Sequence, residues 1–314
     1  MTIDIHSHLF VREFLHESYV DWEAQQTAGD MSQRLGKPIT AAEVKEIIFS
    51  QWWDPDGKAT IRRMDEANIE KAVLLALDVG LLFGEGDKTI AEQNRQTSEV
   101  AKKYPDRLVY FCGVDPRREG SLELFERSVT EWGARGLKLY PTTGFLPADR
   151  VVYPFYERAS AWKIPILFHT GPETPPFQGV NGHPSLLLRV LVDFPDLTVI
   201  AAHLSFEYWR DLIVLGKATK NVMCDFGAWQ GVAKGNYGQF CYILRRFLDE
   251  FGIERVMFGT DAPFYEDSVS SKKWVEIVKS LPYKSPAPYR FTEEEVSALL
   301  EGNARRLLAS IPQK

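Results

Sequence analysis

The sequence predicts a (β/α)8 barrel, the TIM-barrel form of the α/β class, built as one domain over residues 1–314 with a long insertion after the first strand. Three observations predict it. Eight short apolar runs rich in β-branched residues alternate with stretches of helical periodicity, the pattern of repeated βα units. No glycine-rich phosphate loop follows the first run, so an open, doubly wound sheet lacks its usual sign. A barrel of this kind also folds as a single domain at this length.

The elements follow in order. Residues 2–5 form the first strand, which carries His6 and His8 to one side because extended chain alternates faces with a period of two. Further strands are expected at 71–77, 108–114, 136–140, 164–169, 198–203, 221–226 and 255–259, with helices at 90–103, 121–132, 186–194 and 240–251 among them. Pro105, Pro195 and Gly252 stop helices before the strands that follow. Thr292, with Glu295 three residues on, starts a closing helix over 292–309 through a capping box. Residues 10–58 depart from the regular unit and bring Phe10, Phe14, Tyr19, Trp22, Phe49, Trp52 and Trp53. Long βα insertions lie over the catalytic face of a barrel, so this helical, aromatic segment is expected to cap the site, to meet a partner subunit in a homodimer, or to form a satellite core.

Composition narrows the function. The net charge is −6 and no basic run occurs, which argues against nucleic acid or an anionic membrane as partner and leaves a small-molecule substrate. Cys112, Cys224 and Cys241 are few, scattered and odd in number, so they read as reduced buried thiols. No apolar run approaches the roughly 20 residues of a membrane helix, and the start does not read as a signal peptide; a cytoplasmic protein is expected.

The polar residues then converge. His169 and His203 end apolar runs, Asp261 follows Val-Met-Phe-Gly-Thr, and Lys138 lies near the end of Gly-Leu-Lys-Leu-Tyr. A βα unit averages about 31 residues in a barrel of about 250. Lys138 to His169 spans 31 positions, His169 to His203 spans 34 and His203 to Asp261 spans 58: one, one and two units. These residues therefore belong to strands four, five, six and eight, and with His6 and His8 they meet at the carboxyl end where barrel active sites form. Singly, each has an ordinary reading: a core histidine, a turn cap for Asp261, an ion-pair partner for Lys138. Jointly they point to a metal site, since imidazole and carboxylate suit a divalent transition metal.

Asp-Ile-His-Ser-His at 4–8, Phe-His-Thr-Gly at 168–171, Ala-His-Leu-Ser at 202–205, Phe-Gly-Thr-Asp-Ala-Pro-Phe at 258–264 and Gly-Asn-Ala-Arg-Arg-Leu at 302–307 resemble the amidohydrolase superfamily. They are closest to its amidohydrolase-2 branch, which includes amino-carboxymuconate-semialdehyde decarboxylases and related aromatic-acid decarboxylases. The resemblance covers nearly the whole chain. It implies that His6, His8, His169 and Asp261 hold one divalent ion, most often zinc, which lowers the pKa of its water toward about 7. His203 would serve beside it as general base or oxyanion stabiliser, and Asp261 would also shuttle a proton. Lys138 would either bind substrate or, carbamylated, bridge a second metal with His203 on the second ion.

Two reactions follow from the resemblance. One is hydrolysis of a small amide, lactone or ester; the other is non-oxidative decarboxylation of an aromatic or unsaturated acid. The semialdehyde decarboxylases carry an arginine just before the Trp-Asp pair, where this chain reads Phe49-Ser50-Gln51-Trp52-Trp53, and they lack the lysine on strand four. The sequence reading is therefore a hydrolase, with the carboxy-lyase as the alternative. His183, in the loop after strand five, is expected either in solvent or against substrate.

Overall fold

A computed structural model describes residues 1–312; the last two positions of the expected 1–314 domain lie outside the described residues. Eight parallel strands follow one another in sequence order: β1 (Thr2–Ser7), β2 (Ile69–Leu75), β3 (Leu108–Gly113), β4 (Leu137–Leu139), β5 (Ile166–Phe168), β6 (Val199–Ala201), β7 (Val222–Asp225) and β8 (Val256–Met257). The ring closes where Ile5 N donates to Phe258 O at 3.0 Å, Asp261 N to His6 O at 2.8 Å and His8 N to Ala262 O at 2.8 Å. Most strand residues are buried, as expected when side chains fill the barrel on one face and meet helices on the other. Gly113 is needed at the end of β3, because a Cβ there would lie 1.9 Å from Ala76 O.

The strands are shorter than the apolar runs suggest. The expected 164–169 and 198–203 shrink to Ile166–Phe168 and Val199–Ala201. His169 therefore sits one residue beyond β5 and His203 two beyond β6, where the chain has left the sheet and can turn inward. The expected helix at 240–251 is an α-helix over Tyr237–Arg246 continued by a π-helical turn, Phe247–Gly252. The capping box of Thr292 and Glu295 forms, and the closing helix contains a second π-helical turn at Ala298–Gly302. The three cysteines are buried and unpaired. No helix among the described residues is long and apolar enough to cross a membrane.

Residues 10–58 are both cap and satellite core. Helix α1 (Glu17–Leu35) ends at Gly36, whose φ of 64° permits the left-handed stop, and α2 (Ala41–Ile47) starts from a Thr40–Glu43 capping box. Phe10, Phe14, Tyr19, Phe49 and Trp52 bury against Phe177 and neighbours in a second apolar cluster, separate from the barrel core. That cluster holds α1 across the carboxyl ends of the strands. Trp22 Nε1 donates to Pro175 O at 2.9 Å, and Arg34 reaches Asp267 at 3.4 Å.

Candidate metal centre and its cavity

His6 on β1 and His8, one residue beyond its end, both reach the barrel's carboxyl end, two positions apart. Each ring is fixed through Nδ1. His6 Nδ1–H donates to Asp225 Oδ2 at 3.0 Å and His8 Nδ1–H donates to Leu75 O at 2.9 Å. His203 repeats the device, with Nδ1–H donating to Gly227 O at 3.1 Å. A carbonyl only accepts, so Nδ1 must carry the proton in His8 and His203, and Nε2 of the neutral ring is left as a lone pair facing inward. Nε2 of His6 and of His8 lie 3.3 Å and 3.2 Å from the same oxygen, Asp261 Oδ1.

That convergence tests the metal reading. His8 Nε2 stands at hydrogen-bond distance from that oxygen, but in the neutral His6 ring no proton remains to fill the contact between Nε2 and the carboxylate. His6 Nε2 and His169 Nε2 are buried without any hydrogen-bond partner. Orphaned buried acceptors are costly, and a divalent cation seated among His6, His203 and Asp261 would satisfy the one on His6. Donor atoms of His6, His203 and Asp261 lie within 4.8 Å of one another. His203 is thus as near the centre as the residues expected to be ligands. His169 stands further round: its ring is 5.0 Å from that of His203, and its Nε2 is 3.5 Å from Glu173 Oε1.

Backbone strain accompanies the site. His203, Leu204, Ser205 and Phe206 have φ of 59°, 47°, 59° and 46°, and Asp261 has φ of 55°. Non-glycine residues in this region cost about 1–3 kcal/mol each and persist where surrounding contacts impose them. Here Trp229 Nε1 donates to His203 O at 2.6 Å, and Asp261 N is held by His6 O.

Burial sets the protonation of the cluster. It pushes the imidazoles of His6, His169 and His203 below their usual range, keeping them neutral and available as ligands or bases. Burial opposes ionisation of Asp261, but the His6 and His203 rings and the contact with His8 prevail and hold its carboxyl at about 2. Lys138, at 3% exposure, is lowered to about 8 by burial against the pull of Asp261, Asp225 and Glu173. Its Nζ stands 5.6 Å from the Tyr140 ring centre and forms no ion pair among the described residues.

A cavity of about 680 Å³ opens above this centre, between the strand ends and α1. His6, His8, Lys138, His169, His203 and Asp261 all line it, so the six residues singled out in the sequence share one space. His183 does not line it. Its Nδ1 accepts from Ser185 N at 3.3 Å as a helix cap and its Nε2 lies 3.7 Å from Asp211, so of its two expected readings the structure favours the solvent-facing loop.

Residues missed in the sequence complete the picture. Asp225, last in β7, binds His6 and also accepts from Gly227 N at 2.9 Å and His203 N at 3.3 Å. A carboxylate at a strand end was a readable signal for it. Glu173 accepts hydroxyl hydrogen bonds from Tyr140 and Thr142, and Glu23 on α1 accepts from Tyr19. Burial raises both carboxyls to about 7, with Glu173 further opposing ionisation of Glu23 and Asp261 that of Glu173. Nothing in the local sequence marks either one. Asp225→Asn is expected to lower activity and metal affinity by about 10–100-fold, the usual effect of losing a ligand's outer partner. Metal titration of the variant checks this, and wild-type affinity would mean that His6 needs no such anchor.

Comparison with known proteins adds the lineage. A 2-keto-4-carboxy-3-hexenedioate hydratase of Sphingobium sp. (strain NBRC 103272 / SYK-6) is 25% identical over 232 residues, 65% of this chain and 65% of the relative's length. The chain thus spans 65% of the curated relative it matches. Among solved structures, a TIM-barrel protein from Bordetella bronchiseptica superposes with a TM-score of 0.67 at 21% identity, covering 99% of both chains. A 5-carboxyvanillate decarboxylase from Novosphingobium aromaticivorans DSM 12444, solved as a mutant with bound manganese, superposes with a TM-score of 0.68 at 17% identity, covering 98% of this chain and 97% of that one. At those identities the structures establish the shared barrel fold. The amidohydrolase family model matches residues 3–309, nearly the whole of the chain, and the chain belongs to that family.

Proposed function

We propose that this protein is a hydrolase that uses one divalent ion to act on a small carbonyl substrate: an amide, a lactone or an ester. The observation that carries the proposal is the meeting of His6 Nε2 and His8 Nε2 with Asp261 Oδ1 at 3.2–3.3 Å, while the Nδ1 proton of each ring is donated elsewhere. His6, His8, His169 and Asp261 would hold the ion. When bound, it would lower the pKa of water and polarise a carbonyl oxygen.

The protein's own residues supply the rest. His203, neutral and fixed by Gly227 O, is suited to take a proton from water at its inward Nε2. Asp261, ionised and within 4.8 Å of His203, is suited to receive that proton from the imidazole and pass it to the leaving group. Lys138 is placed to donate a hydrogen bond to the carbonyl oxygen as negative charge develops there. Helix α1 covers the cavity and limits the access of bulk water to these groups.

Decarboxylation is the second reading, favoured by the fold shared with a decarboxylase. It requires an acid substrate, and most charged residues lining the cavity are themselves acidic. That composition supports the hydrolase. The test is metal analysis of protein purified without added metal or chelator, paired with assays of ester and lactone cleavage and of carbon dioxide release. About one zinc or manganese per chain, with chelator-sensitive hydrolysis, is expected. Release of carbon dioxide without hydrolysis would overturn the assignment in favour of the lyase. About two ions per chain would replace the single-ion reading with a carbamate bridge on Lys138.

A further inference from the structure

The outer half of the cavity contains charge that the proposed hydrolysis does not use. Glu23 reaches it from α1 and Glu173 from the loop after β5. Tyr19 Oη donates to Glu23 at 3.4 Å, while Glu173 takes a hydroxyl proton on each oxygen, from Tyr140 on Oε1 and from Thr142 on Oε2. Neither carboxylate has a lysine or arginine partner among the described residues. The nearby Arg34 is occupied by Asp267 at 3.4 Å and Asp30 at 3.8 Å. Two sheltered carboxylates lining one cavity, neither ion-paired to a lysine or arginine, are an unfavourable arrangement unless a ligand supplies the missing charge.

Independent features point to such a ligand. Glu23 and Glu173 line the same cavity as Tyr19, Trp22 and Tyr140, so both carboxylates and three aromatic rings face one space. The walls are aromatic: Tyr19 and Trp22 lie with ring centres 6.0 Å apart, and Phe177 packs behind them, 5.1 Å from Trp22 and 5.3 Å from Tyr140. Aromatic faces beside carboxylates attract organic cations, whose hydration they replace more readily than that of a metal ion.

We propose that this half of the cavity recognises a protonated amine on the substrate, held between Glu23 and Glu173 with Tyr19, Trp22 and Tyr140 around it. The substrate is then an amine-bearing amide, lactone or ester whose carbonyl lies over the histidines. This substrate class rests on the hydrolase reading; the amine site itself does not.

The test is therefore a binding measurement on the metal-loaded protein, followed by tryptophan fluorescence, with benzylammonium, benzyl alcohol and benzoate as matched probes. Benzylammonium is expected to bind at least about tenfold more tightly than either of the others, and Glu23→Gln to remove that preference. Glu173→Gln should act in the same direction, and thermal melting of both variants checks that they fold. Tighter binding of benzoate, equal binding of all three probes, or an unchanged benzylammonium affinity in folded Glu23→Gln would overturn the proposal. So would a manganese titration that finds a second ion in the wild type and loses it in Glu23→Gln, because the pair would then be a metal site. Since no turnover is measured, the amine site stands or falls separately from hydrolysis.

Discussion

Replacing His8 with alanine is expected to strip the protein of its divalent ion and reduce turnover to background while the barrel still folds. His8 is 3% exposed, and its Nε2 is one of the two imidazole nitrogens that converge on Asp261 Oδ1. Losing a ligand should exceed the roughly 10–100-fold effect of losing only a ligand's outer partner, such as Asp225. The structural cost is smaller. The substitution leaves Leu75 O without the imidazole proton, a loss of about 1–3 kcal/mol if water does not replace it. Elemental analysis after desalting, read beside a thermal melt, separates the outcomes. A folded His8→Ala protein with normal metal content would remove His8 from the ligand set. His183→Ala is the natural control: that ring caps a helix outside the cavity, and neither metal nor turnover should change.

The inner half of the site was legible because its signals lie along strands. His6 and His8 are two apart at the end of β1, and Lys138, His169, His203 and Asp261 recur at multiples of one βα unit. A barrel converts that spacing into convergence whatever its helices do in detail. The same logic marked the apolar runs but not their ends. The apolar runs continue into His169 and His203, whereas the strands themselves end at Phe168 and Ala201. Nor does hydrophobicity reveal that His203 to Phe206 take left-handed conformations, because tertiary contacts impose them.

The outer half was not legible for a related reason. Glu23 sits in a helix among other polar residues, and Glu173 lies in a loop between Pro172 and Thr174. What makes them neighbours is the path of α1 across the barrel mouth, set by the packing of Phe10, Phe14 and Trp52, all far from Glu173 in sequence. The aromatic content of residues 10–58 announced an apolar cluster; the side of α1 facing the cavity could not be read from it. Asp225 is the intermediate case. It stands at a strand end like the histidines, but a lone carboxylate there acquires meaning only once His6 is seen to lean on it.

Lys138→Met should separate the two roles open to the lysine. If Lys138 donates to the carbonyl oxygen in the transition state, the substitution is expected to lower kcat by about 10²–10³-fold, the effect of removing one such donor, with a smaller change in KM. Metal content should stay at the wild-type level, because on this reading the lysine touches no ion. Burial has brought its ammonium down to about 8, so the donor is present below that pH and lost above it. Wild-type activity should accordingly fall on the alkaline side through a group near 8, and this limb should be missing from the residual activity of the methionine variant. The carbamate alternative predicts the opposite signature. The variant would lose about one ion per chain, and bicarbonate in the buffer would raise wild-type activity without affecting the variant. Methionine is the right probe because its unbranched side chain fills most of the buried space beside Tyr140 while removing charge and hydrogen-bond donor together. A full kcat with normal metal content would leave Lys138 as a buried cation balancing Asp261, Asp225 and Glu173, and carbonyl polarisation would then rest on the metal centre and His203 alone.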